Sequence, residues 1–369
     1  MANILFLVSA MEAGGAERVA STLANAWTER GHSVTLMPTF SGRGNCFYPL
    51  SPNVDLVYLA DLAPVKTRTW VTRFIRLLAL RRFMAMNRPD VIVSFLTHVN
   101  VAAVIASLGL RIPVIVCERC DPFAMPLSRR LQLACRLTYP LAAALTVQTL
   151  ALAAKYKASG GPLTRLRVIP NPVSRSMQNL RPQGNTATTK QLLSIGRLDG
   201  QKQFDVLITV FARLAQQYSD WRLRIVGEGA LRNVLQQQIT ALGLDQRIEL
   251  AGQSAAIEAE LAKADLFALT SRYEGFPNAL LEAMAAGLPC VAFDCPSGPR
   301  EITRNGQVAF LVPLNDEPAL ERALEQLMAD AELRQTLGRN ARASVLERFA
   351  LDNILQQWDM LFQELGVRL

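Results

Sequence analysis

Residues 271–290 contain the pattern that is most informative about the fold: Ser271-Arg-Tyr-Glu-Gly-Phe-Pro-Asn-Ala-Leu-Leu-Glu-Ala-Met-Ala-Ala-Gly-Leu-Pro-Cys290. A strand is predicted to end near Thr270, and Pro277 suits the first turn of a helix. Gly287 ends that helix, and Pro289 begins the next strand. Strand, turn, helix and strand in this order are the repeating unit of a parallel α/β sheet.

Two glutamates of this stretch are held apart by the helix between them. Glu282 lies five residues after Pro277, about 7.5 Å along the helix axis. The start of that helix attracts anions because its first backbone N–H groups lack partners within the helix. With Glu274 at the other end, the arrangement suits a ligand with hydroxyl groups at both ends and phosphates in the middle, such as a nucleotide-sugar. Taken alone, two such glutamates are more often solvated surface charges.

Alternating strand and helix patterns continue on both sides of a polar segment. Strands are predicted at 4–9, 34–37, 91–95, 113–117 and 144–147, and again at 192–195, 222–226, 248–251, 266–269, 289–293 and 310–312. Helical patterns lie between them, for example at 16–30. The sequence therefore predicts two Rossmann-like α/β domains at 1–173 and 191–350, a linker at 174–190 and a C-terminal helix at 351–369.

The charge of the chain is unevenly distributed. The net charge is +8, but residues 1–180 hold 20 Lys and Arg against 8 Asp and Glu, whereas residues 181–369 hold 19 against 23. The basic half is expected to meet an anionic partner: a membrane surface, a phosphorylated substrate or a nucleic acid. A basic surface that only keeps the protein in solution is the simpler alternative.

The cysteines and the apolar runs exclude other classes of protein. Cys117 and Cys120 form a lone C-x-x-C pair, with neither a second pair nor a nearby histidine to complete a zinc site. No Asp-x-Asp occurs, and Glu258-Ala-Glu260 falls in a helical pattern facing water, so we expect neither a metal nor a cofactor. No apolar run reaches the ~18 residues that a spanning helix needs. A cytoplasmic protein, soluble or peripheral at the inner face of the cell membrane, is expected.

Several motifs resemble those of one enzyme family. Glu274-Gly-Phe-Pro-(x)4-Glu282 resembles the E-x7-E signature of the family-four retaining glycosyltransferases, whose GT-B fold has two Rossmann-like domains facing across a cleft. Gly196-Arg197-Leu-Asp-Gly-Gln-Lys202 resembles the G-R-(x)4-K segment of that family. Four further segments match in the same order along the chain: Gly14-Gly15-Ala-Glu17, Ile169-Pro-Asn171-Pro172, Val226-Gly227-Glu-Gly229 and Leu250-Ala-Gly252-Gln253.

The resemblance implies a role for each matched residue. Glu282 would bind the ribose hydroxyls and Glu274 the hydroxyls of the donor sugar, while Arg197 and Lys202 would clamp the diphosphate and stabilise its charge as it leaves. The remaining substrate-binding residues implied are Gly15, near the phosphates, Ser254, near the nucleotide base, and the backbone N–H groups of Gly275, Phe276 and Asn278. The implied reaction retains the anomeric configuration by a front-face route without a metal, although a transient nucleophile stays open.

One position departs from the family pattern. Many members carry a histidine where this chain has Glu118, although bacterial glycan-assembly members show a similar Ser-Glu-Arg segment. His98, which follows the preceding strand, is the alternative residue for the contact with the sugar, and a structural histidine is the third possibility. His32 follows the helix-ending Gly31 and is expected to serve as a charge partner of that helix end.

Other activities remain open. A sugar-nucleotide epimerase of similar fold would bind the donor but need no acceptor. A dehydrogenase is disfavoured because Arg232 stands where G-x-G-x-x-G would need its third glycine. A protein that binds an anionic polymer would explain the basic half, but a nucleic-acid partner is not expected, because the basic residues lack interleaved aromatic side chains.

The resemblance also implies the substrates. The donor would be a UDP-hexose or UDP-N-acetylhexosamine, and the acceptor a lipid-linked saccharide of a bacterial surface polysaccharide or protein glycan. A basic segment at 62–89 would rest on an anionic membrane. It contains Lys66, Arg68, Arg73, Arg76, Arg81, Arg82 and Arg88, and an apolar stripe of Trp70, Phe74, Leu77, Leu78 and Met84. A core-packed helix with a solvated basic side is the alternative.

Overall fold

The protein is described by a computed structural model covering residues 1–40, 46–63, 70–125, 127–160, 165–180 and 189–369. The chain divides into two units. The first consists of Met1–Pro172 together with Asp352–Leu369, and the second of Val173–Leu351. The functional roles assigned to the predicted domains stay predictions.

The strands of the first unit form a parallel sheet. They are β1 (Asn3–Val8), β2 (Ser33–Pro38), β3 (Val54–Leu56), β4 (Val91–Phe95), β5 (Val114–Cys117), β6 (Ala144–Val147) and β7 (Leu166–Val168). Their order across the sheet is β3-β2-β1-β4-β5-β6-β7. The central strands are buried on both faces, which explains why they are continuous apolar runs rather than alternating ones.

Helices cover this sheet. They are α1 (Gly15–Glu29), α2 (Leu59–Leu62), α3 (Trp70–Asn87), α4 (Thr97–Ser107), α5 (Arg129–Thr138) and α6 (Leu150–Ala158), with a 3-10 turn at Tyr139–Leu141. In α1 the buried Val19, Leu23 and Trp27 follow the i, i+4, i+8 spacing of one helical face. The hydroxyls of Ser128 and Thr149 accept backbone N–H bonds and so begin α5 and α6.

The second unit repeats the architecture. Its strands β8 (Lys190–Ile195), β9 (Trp221–Val226), β10 (Ile248–Gly252), β11 (Leu266–Leu269), β12 (Cys290–Phe293) and β13 (Phe310–Val312) pair in parallel in the order β10-β9-β8-β11-β12-β13. Its helices are α7 (Arg175–Asn179), α8 (Phe204–Ala215), α9 (Arg232–Ala241), α10 (Ile257–Lys263), α11 (Asn278–Ala285), α12 (Pro299–Ile302), α13 (Glu317–Ala329) and α14 (Ala331–Phe349). Phe211, Trp221 and Phe293 lie fully buried in its core.

The C-terminal helix α15 (Leu351–Glu364) belongs almost entirely to the first unit. Trp358 and Phe362 pack their rings against Trp27 of α1, with centroid distances of 5.6 and 5.7 Å. These contacts bury large aromatic surfaces and so attach the end of the chain to its beginning. The prediction of two Rossmann-like domains with a returning C-terminal helix is confirmed.

Some short elements differ from the sequence interpretation. The edge strands β3 and β7 were not among the predicted strands, because each contributes only three residues and its burial is incomplete. Within the segment predicted as a linker, α7 forms around the fully buried Met177, while residues 181–188 lie outside the described residues. Glu260 of α10 binds Arg224 at 2.7 Å, so this glutamate is held in an ion pair.

The apolar stripe predicted on α3 is correct in part. Trp70, Phe74 and Leu78 are exposed, but Met84 is fully buried and Leu77 packs partly against the core. The pattern merged two adjacent i, i+4 rows of the helix, one of which contains Leu78 and the other Met84. The predicted lipid contact of Met84 is therefore wrong. Lys66 and Arg68 lie outside the described residues.

His32 has a different role from the one predicted. Its side chain is buried, and Nδ1 accepts a hydrogen bond from the backbone N–H of Ala2 at 3.1 Å. Burial and the nearby α-amino group lower the pKa of His32, so the imidazole is neutral at neutral pH. His32 is therefore a hydrogen-bond acceptor that holds the start of the first strand. The prediction that it serves as a charged partner of the helix end is wrong.

Among the described residues, every helix is too short or too polar to cross a lipid bilayer.

Candidate active site

The predicted donor-binding residues of the second unit gather at one edge of its sheet. The strand order reverses direction between β8 and β11, and ligands of open α/β sheets bind beyond the carboxyl ends of the strands at such a reversal. The loop after β8 carries Arg197 and Lys202, and the loop after β11 carries Glu274. Two motifs 72 residues apart in the sequence are thus joined by an ion pair.

Glu274 is the buried centre of this cluster. It is 7% exposed, and its Oε1 accepts hydrogen bonds from Lys202 Nζ and Ser271 Oγ, each at 2.6 Å. A lysine ammonium has three donors, so Lys202 can keep this bond and still donate to a phosphate oxygen. The pair fixes both side chains, and one of them is a cation suited to a diphosphate.

Gln201, which the sequence interpretation did not single out, ties the two loops together. Its backbone carbonyl accepts from the N–H of Arg272 at 2.8 Å, and its side-chain Nε2 donates to the carbonyl of Tyr273 at 2.9 Å. Gln201 Oε1 also accepts from Arg197 Nη2 at 3.3 Å. Arg197 itself is exposed and pairs with Asp199 at 3.2 Å, so its guanidinium is loosely held at the mouth of the site.

A glycine turn presses directly on the loop that carries Arg197. A Cβ added to Gly227 would lie 1.8 Å from the carbonyl oxygen of Gly196, and one added to Gly229 would lie 2.4 Å from that of Leu198. Gly227 also donates its N–H to the carbonyl of Gly252 at 2.8 Å. The matched turns at Gly227-Glu-Gly229 and Gly252 therefore pack directly beneath this loop. The contacts of Gly227 and Gly229 with its carbonyl groups leave no room for a side chain.

A second loop, Cys295-Pro-Ser-Gly-Pro299, supports the glutamate and was missed in the sequence. Glu274 donates its N–H to the carbonyl of Pro296 at 2.7 Å, and Ser297 returns a backbone bond to the carbonyl of Glu274 at 2.9 Å. Gly298 has φ +101°, and a Cβ there would meet Pro277 at 2.6 Å. The Pro-Ser-Gly-Pro string is a turn signal, but it gave no hint of the neighbour it contacts.

Most of the other residues predicted to bind the donor lie in α11 or in the turn before it, whereas Ser254 lies between β10 and α10. Pro277 caps this helix, and Glu282, within it, is 9% exposed. The ring of Phe276 packs against Phe349 at 5.6 Å, so a ligand contact from this residue would come from its backbone. Ser254 is half-buried, and its hydroxyl accepts from the N–H of Ala256 at 3.2 Å. Gly275 and Asn278 flank Phe276 and Pro277 in the same turn.

The first sheet has a comparable edge. Its strand order reverses between β1 and β4. Gly15 begins α1 after β1, and His98 lies in the first turn of α4 after β4. His98 is exposed and packs edge-on against Phe40, with ring centroids 4.4 Å apart. Desolvation lowers the pKa of His98, which favours a neutral imidazole at neutral pH.

Glu118, the alternative residue for the sugar contact, is 1% exposed. Its carboxyl accepts hydrogen bonds from Tyr139 and from Thr97, the latter at 2.8 Å. Burial raises the pKa of Glu118, and these hydrogen bonds oppose that shift only in part. The assignment of the sugar contact to His98 or to Glu118 stays a prediction, but the two residues lie in different environments.

Arg119, next in the chain, is almost fully buried and was also missed. Its guanidinium stacks on Phe95 at 3.6 Å from the ring centroid, and Nη1 donates to Asn171 Oδ1 at 2.8 Å. Gln148 donates to the same oxygen at 2.7 Å. Burial lowers the pKa of Arg119 to about 10, so it stays charged at neutral pH. Asn171 of the matched Ile-Pro-Asn-Pro segment is thereby anchored to the first sheet.

Comparison with known proteins finds family matches in both units. The family described as glycosyl transferase 4-like domain matches residues 14–172, and the family described as glycosyl transferases group 1 matches residues 176–344. An exopolysaccharide phosphotransferase of Streptomyces coelicolor is 41% identical over 205 residues, which are 55% of this chain and 21% of that protein. This chain therefore spans about a fifth of the length of that relative.

A relative of full length comes from Campylobacter jejuni. It is named GalNAc-alpha-(1->4)-GalNAc-alpha-(1->3)-diNAcBac-PP-undecaprenol alpha-1,4-N-acetyl-D-galactosaminyltransferase and is 27% identical over 367 residues, 99% of each protein. The crystal structure of Anabaena HepE in complex with UDP-glucose has a TM-score of 0.79 at 23% identity and covers 99% of this chain and 100% of that one. On the successive family matches and the shared architecture, the chain belongs to the family-four-like glycosyltransferases of GT-B fold.

Proposed function

We propose that this protein transfers a hexose or N-acetylhexosamine from a nucleotide-sugar to a lipid-linked saccharide during assembly of a bacterial surface polysaccharide or protein glycan. The observation that carries the proposal is the buried Lys202–Glu274 pair at the reversal point of the second sheet. A cation for the diphosphate and a carboxylate for sugar hydroxyls are held there within one hydrogen bond of each other.

The donor is proposed to be a UDP-sugar bound by the second unit. Glu282 takes the ribose hydroxyls, and Ser254 lies near the base. Because Gly227 has no side chain, the loop that carries Arg197 can lie close to the edge of the sheet. A loop in this position suits a ligand whose phosphates approach backbone N–H groups. HepE, a protein of the same fold, was crystallised in complex with UDP-glucose, which is consistent with this choice of donor.

The reaction is proposed to retain the anomeric configuration without a metal ion. As the bond between the sugar and the diphosphate breaks, negative charge grows on the leaving oxygen. Lys202 and Arg197 stabilise this charge. The acceptor hydroxyl approaches on the same face of the sugar, its oxygen forms the new bond to the anomeric carbon, and its proton passes to the leaving oxygen. Preorganised cations of this kind are worth about 3 kcal/mol each in the transition state.

The acceptor is proposed to be lipid-linked and to approach the first unit. The Campylobacter relative is named for an acceptor carried on PP-undecaprenol. In the first unit, Trp70, Phe74 and Leu78 of α3 and Leu133 and Leu137 of α5 are large apolar side chains exposed to solvent. Both helices pack on α4 and carry arginines beside these residues, so they suit the surface of an anionic membrane.

The experiment is a transfer assay with a panel of nucleotide-sugars and synthetic lipid-diphosphate saccharides, together with calorimetric titration of the free nucleotide. We expect transfer of the sugar from one UDP-sugar of the panel. We also expect the substitution Glu282→Gln to weaken binding of both the nucleotide and the nucleotide-sugar. Conversion of the nucleotide-sugar without an acceptor would instead identify an epimerase. Nucleotide affinity that is unchanged in Glu282→Gln would contradict the ribose assignment, and activity lost to a chelator and restored by magnesium would contradict the metal-free reaction.

A further inference from the structure

A chain of buried hydrogen bonds runs beneath the first turn of α4. Ser94 Oγ donates to Asn100 Oδ1 at 2.7 Å, and Asn100 Nδ2 donates to the hydroxyl oxygen of Tyr139 at 3.3 Å. The Tyr139 hydroxyl donates to Glu118 Oε1, and Thr97 Oγ1 donates to Glu118 Oε2 at 2.8 Å. The chain of bonds therefore starts in β4 and returns to the first residue of α4.

The position of Glu118 in this chain argues against direct contact with a ligand. The residue is 1% exposed, and each of its carboxyl oxygens already accepts a hydrogen bond from a hydroxyl group. Buried polar groups are stable only while such bonds are kept, so turning the carboxyl toward a ligand would leave Tyr139 and Thr97 without their acceptor.

The turn that these bonds support is strained. Leu96 joins β4 to α4 with φ +76° and ψ 139°, a conformation that residues with a Cβ rarely adopt. Its N–H donates to the carbonyl of Cys117 at 3.2 Å, and its carbonyl accepts from the N–H of Asn100 at 2.9 Å. Such strain persists only where the surroundings fix the backbone, and it is common at functional sites. His98 follows two residues later, at the carboxyl edge of the sheet.

We propose that Glu118 is a positioning residue for the ligand site of the first unit: through Thr97 it fixes the first turn of α4 and so the place of His98. The inference rests on the proposed function, and of the two residues predicted for the sugar contact it takes His98 as the one that meets the substrate at this edge. Tyr139 and Asn100 hold the carboxyl from one side, and the Thr97 hydroxyl transmits its position to the helix. Glu118 itself does not touch the substrate.

The first test reads the position of His98 without any reaction. The chain has two histidines, so the imidazole signals in a nuclear magnetic resonance spectrum are assigned by comparing His98→Ala with His32→Asn. We expect Glu118→Gln and Thr97→Val to shift the His98 signal, Thr97→Ser to restore it, and the His32 signal to serve as an unchanged reference.

The matched control is Asp121→Asn. Asp121 is also a buried carboxylate close in sequence, 2% exposed, but it binds Lys155 at 2.6 Å rather than Thr97. Its substitution should leave the His98 signal in place. An unmoved His98 signal in Glu118→Gln and Thr97→Val, or an equal shift in Asp121→Asn, would overturn the proposal.

The second test uses transfer kinetics. Glu118→Gln should lower kcat by about 100-fold, the scale of a displacement near 1 Å, while the KM for the donor changes little. In a His98→Ala background the same substitution should cause no further loss, because both changes remove one function. Losses that multiply would show that Glu118 acts independently of His98. A wild-type protein that transfers no sugar would count against the proposed function alone, and the His98 signal would still decide this inference.

Discussion

Lys202 and Arg197 carry the same charge in one loop, but their surroundings give their removal different costs. The Lys202 side chain is 15% exposed and pairs with the buried Glu274, whereas the Arg197 side chain is 70% exposed. Breaking a buried pair leaves an uncompensated charge in a poorly solvated position, which costs about 3–5 kcal/mol. Substitution of Arg197 should therefore affect activity alone, whereas substitution of Lys202 should affect both activity and stability.

We expect Arg197→Ala to reduce kcat by about 100-fold or more without changing the melting temperature, since only the charge stabilisation of the leaving group is lost. Lys202→Met should lower both quantities. The double substitution Lys202→Met with Glu274→Gln should recover part of the melting temperature and none of the activity. Thermal denaturation and steady-state kinetics check this, and a single Lys202→Met variant as stable as wild type would refute the structural role of the pair.

His32 gives the stability a dependence on pH. Burial, the α-amino group and Arg30 lower its pKa, and Asp359 raises it by a smaller amount than burial lowers it. In the unfolded chain the imidazole takes up a proton near its usual pKa of about 6.5, whereas the folded chain keeps it neutral to a lower pH. The unfolded state therefore binds more protons between those two values, and stability is lost as the pH falls through that window.

The contribution of His32 to the pH dependence of the free energy of unfolding is expected to be at most about 1.4 kcal/mol per pH unit. Denaturant unfolding of wild type and His32→Asn between pH 7.5 and 5 measures it. The wild-type free energy of unfolding should fall more steeply than that of the variant below about pH 6.5. Parallel curves would show that another group dominates the acid sensitivity.

The loops after β8 and β9 depend on each other for their conformation. Gly227 has φ +146°, and its missing side chain admits the carbonyl of Gly196. Gly243 also has a positive φ, +68°, but a Cβ there meets nothing within 4 Å. Both φ values lie in the range that residues with a Cβ rarely adopt, so Gly243 provides a comparison in which the backbone is unfavourable but the added Cβ meets no neighbour.

Gly227→Ala should lose about 2–4 kcal/mol of stability, combining backbone strain with overpacking, and should weaken nucleotide binding by moving the loop of Arg197. Gly243→Ala should lose only about 1 kcal/mol and bind nucleotide normally. Chemical denaturation and calorimetric titration compare the two. If both variants lose the same stability, the close contact with Gly196 does not matter.

The elements also show what a sequence can reveal. The central strands were predictable because a strand buried on both faces must be an apolar run. The edge strands β3 and β7 have no such run. Within the site, the charged residues of the two loops were found by their motifs, but Gln201 and Ser297 act through backbone carbonyls of distant loops. A sequence pattern does not reveal which backbone carbonyl of a distant loop a given side chain will contact.

Positive charge and exposed apolar surface are both concentrated in the first unit. Met1–Pro172 and Asp352–Leu369 together hold 20 Lys and Arg against 11 Asp and Glu. Large apolar side chains are exposed on α3, on α5 and in the segments that follow these helices. Trp70, for example, is 80% exposed and Leu137 is 64% exposed. In the described part of the second unit, the comparable residues are Val234 and Leu242. A surface both basic and apolar suits the interface of an anionic bilayer better than water.

The protein should therefore co-sediment with vesicles rich in anionic lipid at low salt and be released at high salt. Arg73 and Arg82 of α3 are exposed, while Arg76 is half-buried and is left unchanged. Replacing Arg73 and Arg82 with Glu should weaken vesicle binding strongly, since each basic residue near such a surface contributes about 1 kcal/mol and each acidic one is repelled. Trp70→Ser with Phe74→Ser should also weaken binding at low salt, although it leaves the charge unchanged, because it removes the apolar part of the contact.

The matched control is the pair Arg222→Glu and Arg322→Glu in the second unit, which changes the net charge equally from exposed positions. If this control lost vesicle binding as strongly as the α3 pair, attraction would depend on net charge and not on a surface of the first unit. Nucleotide affinity should be the same in all variants, because none of these side chains belongs to the Lys202–Glu274 cluster. A wild-type protein that ignores anionic vesicles at low salt would refute the membrane contact and leave a soluble acceptor as the better hypothesis.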